Sequence, residues 1–337
     1  MEGRTRARLG RRFERLLDLV PAGVEFGALR ELVGEDLIDE QGLDDLLGEP
    51  LGPDGTRTDI PRVRPILVVL AARSVGAGVV DGHAQYVAEL LHMALSVHDL
   101  ALGRGGGRRR RVARRLVRGS MSLLGGNHLT LRALELARYT KPEILEELVD
   151  TLRHFADSQA LADELRSAPA SSEDWLEHAD GHTGALFTFC CRAGGHLAHA
   201  TPAELRALGR YGRHMGRLWH IAEDVSGLLH HDPVEHLVVR ASIGRPMLPV
   251  VAAAERDPTI ADLWTAFITN ADDAAAAVLA QRIVRSPGMG TAREAMVREA
   301  WSARRALSAL PRTSYRVALD RLAGGIARAG LVSPRTA

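Results

Sequence analysis

The stretch RALELARYTKPEILEELVDTLRHFADSQALADELRS, residues 132–167, decides the fold class. Its apolar residues recur at steps of three and four, which is the period of an α-helix that buries one face. Pro142 interrupts the pattern once, and a proline within a helical pattern marks the boundary between two helices. The stretch therefore predicts two consecutive amphipathic helices.

The same period extends over most of the chain, for example in DPTIADLWTAFITNADDAAAAVLAQRIV, residues 257–284, and aromatic residues are only 4% of the total. We predict an all-α fold in one domain, with N-terminal helices in 1–50, a motif-bearing core in 51–250 and C-terminal helices in 251–337. Gly- and Pro-containing segments interrupt the pattern and predict loops at one end of a bundle: residues 48–65, 103–111 and 230–246.

Net charge, apolar runs and cysteine content indicate which partners and which cellular compartment to expect. Acidic and basic residues nearly cancel, with 43 Lys and Arg against 42 Asp and Glu, so net charge indicates no particular partner. No uncharged apolar run reaches about 18 residues, so we expect no transmembrane segment. The basic N-terminus lacks the apolar run of a secretory signal. Adjacent Cys190 and Cys191 fit two small buried residues better than a disulfide or a zinc site, which favours a cytoplasmic, reducing location.

The first candidate site lies in LLHMALSVHDLALG, residues 90–103. Carboxylates at positions i, i+1 and i+4 of a helix share one side and can hold Mg²⁺. Here Asp99 is acidic, whereas Leu100 and Gly103 occupy the other two positions. The stretch predicts one metal-binding carboxylate where such a site has several.

The second candidate lies in LWHIAEDVSGLL, where His220, Glu223 and Asp224 share a helical face. Polar groups on an otherwise apolar helix need partners, because burying them unpaired is costly. Two interpretations stay open: a satisfied hydrogen-bond network, for instance to an arginine, or a face that binds a ligand.

The third candidate is an arginine run that follows a glycine-rich turn and begins at Arg108–Arg111. Guanidinium groups grip phosphate oxygens through paired hydrogen bonds, so a diphosphate is one candidate ligand. A solvated basic face is the alternative. We do not expect nucleic acid as a partner, since no aromatic residues interleave with the run and none of the usual nucleic-acid-binding motifs is present.

In this order, from residue 61 to 249, the segments resemble the trans-polyprenyl diphosphate synthase family. DIPRVRP resembles the family's Gly-Gly-Lys-Arg-x-Arg-Pro, with Pro61 at the lysine, and the helix of His92 and Asp99 resembles its first acidic motif. LLGGNHLT resembles Gly-Asp-x-Leu, with Asn127 in place of the acid, and Gln159 matches the glutamine of the following motif.

The later motifs follow in register. HTGALF is similar to Lys-Thr-x-x-Leu-Phe, with His182 at the lysine and Thr183 retained. LWHIAEDVSG is similar to Phe-Gln-x-x-Asp-Asp-x-x-Asp, with His220 at the glutamine and Gly227 at the last acid. GRPMLP resembles Gly-Lys-x-x-x-Pro, with Arg245 as the cation.

The resemblance implies an isoprenoid-synthase-type helical bundle and a site for a prenyl diphosphate. In the family, Mg²⁺ ions held by two facing acidic motifs stabilise the departing diphosphate of an allylic substrate. The implied metal ligands are Asp99, Glu223 and Asp224. The implied diphosphate-binding residues are Arg62, Arg64, Arg108, Arg109, Arg110, Thr183 and Arg245. Other implied cavity residues are His92, His98, Gln159, His182 and His220.

Three functional hypotheses follow. The first is a catalytically impaired homologue that acts as a regulatory or prenyl-diphosphate-binding subunit, as a homodimer or as a heteromer with an active synthase. The second is a divergent prenyltransferase that condenses an allylic diphosphate with an acceptor, with Mg²⁺ held by fewer ligands than the family pattern supplies. The third is a transition-metal site built from the histidines and the remaining acids.

Overall fold

The computed structural model describes residues 63–77, 80, 82–102, 119–165, 169–229, 232–270 and 273–331. Within these ranges the regular structure is entirely helical, which confirms the all-α prediction. The helices are α1 (Val63–Ser74), α2 (Gly82–Leu102), α3 (Gly119–Ala137), α4 (Pro142–Glu164), α5 (Ser172–Ala179), α6 (Ala185–Leu197), α7 (Pro202–Leu229), α8 (Pro233–Ser242), α9 (Leu248–Ala254), α10 (Pro258–Asn270), α11 (Asp273–Arg285), α12 (Pro287–Ala306) and α13 (Ser314–Leu331).

Two short segments complete this order. A π-helical turn, Asp180–Gly184, joins α5 to α6, and a 3₁₀ turn, Leu307–Ala309, follows α12. None of the described helices has the length and apolar character needed to cross a bilayer. The predicted helices of residues 1–50, together with Arg62 and Arg108–Arg111, lie outside the described residues.

The break predicted at Pro142 is confirmed. Helix α3 ends at Ala137 and α4 begins at Pro142, preceded by Lys141 in an extended conformation. The Lys141 ammonium donates to the backbone oxygens of His196 (2.5 Å) and Leu197 (3.3 Å). These carbonyls are at the end of α6, where a cation offsets the helix dipole and fills unmade hydrogen bonds.

Helix α8 lies in a segment for which we predicted a loop, so that prediction is wrong. The Asp232 carboxylate accepts hydrogen bonds from the backbone N–H groups of Val234 (2.9 Å) and Glu235 (3.2 Å), and Pro233 occupies the first turn. An aspartate cap followed by proline is a strong start signal for a helix, and here it outweighs the glycine and proline near the end of the segment.

The centre of the bundle is built around α7, which packs against α6, α12 and α13. Its buried residues follow the helical period and include Leu208, Tyr211, Met215 and Leu218, and the Tyr211 hydroxyl donates to the Leu319 carbonyl at 2.7 Å. Helix α1 lies against α6, α2 and α13 and is buried along nearly its whole length. One hydrophobic core joins buried residues from α1 to α13, and it fixes the ends of α2, α4 and α7 relative to one another.

The adjacent cysteines lie in this core. Cys190 and Cys191 on α6 are fully buried free thiols, as predicted for small apolar residues of a buried helix. Burial raises the pKa of the Cys190 thiol to about 12 and also raises the pKa of the Cys191 thiol well above its ordinary value. Neither is therefore a nucleophile in the folded chain.

Candidate functional site

The π-helical turn presents two of the predicted site residues to the interior. Helix α5 begins at a capping box formed by Ser171 and Asp174, and the chain continues without interruption through the turn into α6. Arg217 on α7 binds the turn through a bidentate salt bridge to Asp180, with Nε 2.5 Å from Oδ1 and Nη2 2.6 Å from Oδ2. π turns occur often at functional sites because the extra residue redirects side chains. Here His182 and Thr183 lie in that turn, and both are buried.

A close approach of backbones sets the position of His220. A Cβ atom placed on Gly216 of α7 would lie 2.6 Å from both the Thr183 carbonyl oxygen and the Gly184 Cα. Only glycine fits at that distance, so the turn and α7 pack backbone to backbone. His220 follows Gly216 by one helical turn, and its Nδ1 shares a hydrogen bond with Thr183 Oγ1 at 3.0 Å.

Asp99 is the meeting point of three other parts of the chain. Gln159 Nε2 on α4 donates to Asp99 Oδ1 at 2.7 Å, and His182 Nε2 lies 3.3 Å from Oδ2. The Arg245 guanidinium, after α8, forms an ion pair with the same Oδ2. Burial opposes ionisation of this carboxyl, but Arg245, His182 and Gln159 together outweigh it and lower the pKa of Asp99 to about 2. Asp99 is therefore ionised at neutral pH and held by donors of this chain.

The acids of α7 are paired in the same manner. Arg240 on α8 places Nη2 3.2 Å from Glu223 Oε2 and Nε 3.1 Å from Asp224 Oδ1, and Trp219 Nε1 donates to Glu223 Oε1 at 2.9 Å. Burial works against the charge on Asp224, but Arg240 lowers the pKa of that carboxyl below its usual value. Of the two interpretations of His220, Glu223 and Asp224, the structure shows the pairing with an arginine, although both oxygens of Asp224 and the Nε2 atom of His220 are buried without a hydrogen-bond partner.

Asp99, Glu223, Asp224 and their arginine partners form one polar cluster, and three buried histidines, His178, His182 and His220, lie in it. The His178 ring stacks on His182 with centroids 5.5 Å apart and meets His220 edge-on at 5.7 Å, and Ser158 Oγ shares a hydrogen bond with His178 Nδ1 at 3.1 Å. Burial lowers the pKa of His220 to about 3 and lowers those of His178 and His182 as well. The lowered pKa values favour uncharged imidazoles at neutral pH, which leaves Arg245 as the cation facing Asp99.

Arg64 is buried on the Glu223 side of the cluster. Its guanidinium carbon lies 5.7 Å from the centroid of the Phe187 ring and 5.8 Å from that of Trp219. Stacking of this kind stabilises a buried cation. Trp219 also donates to Glu223, so this one indole ring contacts both the Arg64 guanidinium and a carboxylate of α7.

Two predicted cavity residues lie apart from this cluster. His98 Nε2 shares a hydrogen bond with Asn127 Oδ1 of α3 at 3.1 Å, which turns His98 toward α3 although Asp99 follows it directly. His92 is partly buried and precedes Asp99 by seven residues of the same helix, a rise of about 10 Å.

The carboxylates of this site already have cationic partners from the chain itself. The Arg245 guanidinium forms an ion pair with Asp99, and the Arg240 guanidinium forms ion pairs with Glu223 and Asp224. The part of the chain that the structure describes contains no group of three or more His, Cys, Asp or Glu side chains placed to hold a metal ion. With arginines paired to their carboxylates, these residues do not fit the implied Mg²⁺ cluster. The transition-metal hypothesis stays a prediction.

Several buried polar atoms of the cluster have no hydrogen-bond partner: Arg245 Nε, the Nε2 atoms of His178, His220 and His236, and both oxygens of Asp224. The Nε atom of Arg245 is buried without a hydrogen-bond partner, while its Nη2 contacts Asp99 and His182. Leaving a buried donor unsatisfied costs roughly 1–3 kcal/mol. An oxygen of a bound anion would remove that cost.

Sequence reasoning missed several residues of the cluster, above all Arg240. The signal was present, because His236 and Arg240 are one helical turn apart and both approach Asp224 Oδ1, at 3.7 Å and 3.1 Å. Reading the segment as a loop concealed this spacing. Ser158, His178 and Arg217 carry no local sequence signal for their roles.

The family model described as Polyprenyl synthetase matches residues 61–279. The nonaprenyl diphosphate synthase of Mycobacterium tuberculosis is 28% identical over 272 residues, which cover 77% of this chain and 80% of that one. The geranyl-diphosphate-specific all-trans-nonaprenyl-diphosphate synthase of Rhodobacter capsulatus is 25% identical over 313 residues, covering 90% and 94%.

Solved structures agree on the fold. A polyprenyl synthase from Caulobacter crescentus CB15, complexed with calcium and isoprenyl diphosphate, superposes with a TM-score of 0.69 at 24% identity, covering 94% of this chain and 96% of that one. A decaprenyl diphosphate synthase from Rhodobacter capsulatus gives 0.67 at 24% identity, covering 94% and 98%. These likenesses confirm the predicted isoprenoid-synthase-type bundle.

Proposed function

Because the chain belongs to the polyprenyl synthetase family, we propose that it is a prenyltransferase that transfers the prenyl group of an allylic diphosphate to an acceptor. In this reaction the allylic C–O bond breaks and the diphosphate leaves with the electron pair. The acceptor double bond then forms a new C–C bond to that carbon. The resulting cation loses a proton to the departed diphosphate.

The observation that carries the proposal is the convergence of Asp99, Thr183 and Arg245. These residues come from three separate segments that resemble three family motifs, and they meet in one buried polar cluster. Arg245 and Arg240 supply fixed positive charge beside the place where a leaving diphosphate would gain negative charge. The names of the relatives support a second isoprenyl diphosphate as the acceptor.

The test is incubation of the full chain with labelled farnesyl diphosphate and isopentenyl diphosphate, with Mg²⁺ present. We expect elongated product and release of diphosphate. Arg245→Gln should lower the rate by about 100-fold, the effect of losing one charge-stabilising donor, whereas Arg304→Gln, in an exposed pair with Asp320, should keep the wild-type rate. Absence of both product and diphosphate release would exclude the proposal.

A second candidate function is favoured by the paired carboxylates. If the arginines stay in place when ligand binds, the chain would hold a prenyl diphosphate without converting it and act as a regulatory subunit of an active synthase. Affinity-purified chain should then retain an active synthase and change its rate or product length. An unchanged rate and product length on adding the chain would argue against this role.

For assembly, we propose that α3 supplies the contact with a second copy or with a synthase subunit. Its side chains Leu123, Leu124 and Leu131 are 47%, 50% and 60% exposed. Leu124 and Leu131 are two turns apart and share one face, so they form an apolar stripe. Leu131→Arg should shift the mass measured by light scattering toward that of the monomer, and an unchanged mass would exclude this surface.

The buried free thiols support a reducing, cytoplasmic location.

A further inference from the structure

We propose that this site binds the diphosphate group without a divalent metal ion, through direct contacts with the guanidinium groups of Arg240 and Arg245. The inference rests on the proposed function for the identity of its ligand, a prenyl diphosphate. The question is which groups of the protein neutralise the negative charge of the diphosphate.

The first argument is that the carboxylates already have counter-ions. Arg245 is paired with Asp99, and Arg240 spans the buried Asp224 and the partly exposed Glu223. A divalent ion that bound these oxygens would have to displace a buried guanidinium and leave it without a partner. The carboxylates therefore act as supports for the arginines.

The second argument is that Arg245 has unused donors. A guanidinium carries five N–H groups in a planar fork that matches the oxygens of a phosphate. Asp99 and His182 both contact Nη2, while the buried Nε has no acceptor. An anion oxygen would complete the fork without breaking the contact between Arg245 and Asp99.

The third argument is the repulsion between two neighbouring guanidiniums. The positive charge of Arg240, together with burial, lowers the pKa of Arg245, so the two groups repel each other. An anion that contacts both would relieve that repulsion, whereas a divalent cation would increase it.

Calorimetric titration of the full chain with a non-reactive farnesyl thiolodiphosphate tests the inference, once in EDTA and once with Mg²⁺. We expect the two dissociation constants to agree within about threefold. Arg245→Gln and Arg240→Gln should each weaken binding by about tenfold or more in EDTA, the loss expected for a charge-assisted contact. Arg304→Gln is the matched control and should bind as the wild type does.

The outcomes separate the inference from the proposed function. Binding that requires Mg²⁺ overturns the inference and leaves the proposed prenyl transfer intact. Absence of binding under both conditions overturns both. If Arg245→Gln unfolds, Arg245→Lys takes its place. Lysine keeps the charge but lacks the planar fork of the guanidinium, so this variant should bind in EDTA more weakly than the wild type does. The EDTA titration of the wild type decides the question in every case.

Discussion

Arg245 and Asp99 are separated by 146 residues in the chain, yet their side chains form a buried ion pair that ties the end of α2 to the turn after α8. Each side chain is only 11% exposed. The pair is thus a tertiary contact between two of the segments that carry family motifs, and it gives the first prediction.

Asp99→Asn keeps the shape of the side chain and removes its charge. Arg245 is then a buried cation without a counter-ion, and the free energy of unfolding should fall by about 3 kcal/mol or more. Urea denaturation followed by circular dichroism measures the change. Adding Arg245→Gln to Asp99→Asn should recover part of the loss, because no buried charge is then left unpaired.

The control for this pair is Arg304→Gln. Arg304 and Asp320 form an ion pair at the surface, with side chains 52% and 37% exposed. Exposed pairs contribute about 0–1 kcal/mol. If Asp99→Asn costs no more than this control, the pair at the site does not stabilise the fold.

A second prediction concerns pH. The pKa of His220 is about 3 in the folded chain, against about 6.5 in an unfolded one. Between these values the unfolded chain binds a proton that the folded chain does not, so stability is highest above pH 6.5 and falls as pH decreases toward 3. His220 alone should contribute a slope of about 1.4 kcal/mol per pH unit. Asp99, with a pKa of about 2, loses its contribution only as pH falls below about 4.

Denaturant midpoints of the wild type and His220→Gln between pH 4.5 and 6 check this slope. The variant retains an amide that can bond Thr183 and should show a flatter dependence on pH. The same measurement on His154→Gln, at an exposed position, gives the effect of replacing a histidine outside the cluster. Equal slopes in the wild type and His220→Gln would mean that His220 is charged in the folded chain.

A third prediction tests the backbone contact between the π turn and α7. Gly216→Ala introduces a Cβ within 2.6 Å of the turn, which should destabilise the fold by about 1–3 kcal/mol. Gly290→Ala on α12 is the matched control, since a Cβ there has nothing within 4 Å. Removing a helical glycine at an open position should stabilise the fold by roughly 0.5–1 kcal/mol. Effects of equal sign in the two variants would show that the contact is looser than the structure indicates.

A fourth prediction concerns the thiols. Cys190 and Cys191 are buried, and burial raises the pKa of Cys190 to about 12. A thiol-reactive dye at pH 8 should therefore label the native chain only at the rate of unfolding, and both thiols should react at once in urea. Rapid labelling of native protein would show that α6 is accessible to solvent.

Local signals predicted the helices well, and they failed where a contact depended on distant parts of the chain. Pro142 marked the boundary between α3 and α4 because proline acts on its own backbone. Asp232 and Pro233 also carried a start signal, which a nearby glycine and proline concealed. The pairing of Arg240 with Glu223 and Asp224 depends on how α8 folds against α7, and a single sequence does not contain that information.

The π-helical turn has one more consequence. Because Asp180–Gly184 holds an additional residue within an otherwise continuous helical rod, the orientation of Thr183 depends on the number of residues in the turn as well as on their identity. Deleting one residue would let the rod close into a regular α-helix, which would redirect the side chains of the turn while the helices on either side stay in register. Length variation at this one point would therefore rearrange the cluster even if every side chain in it were kept.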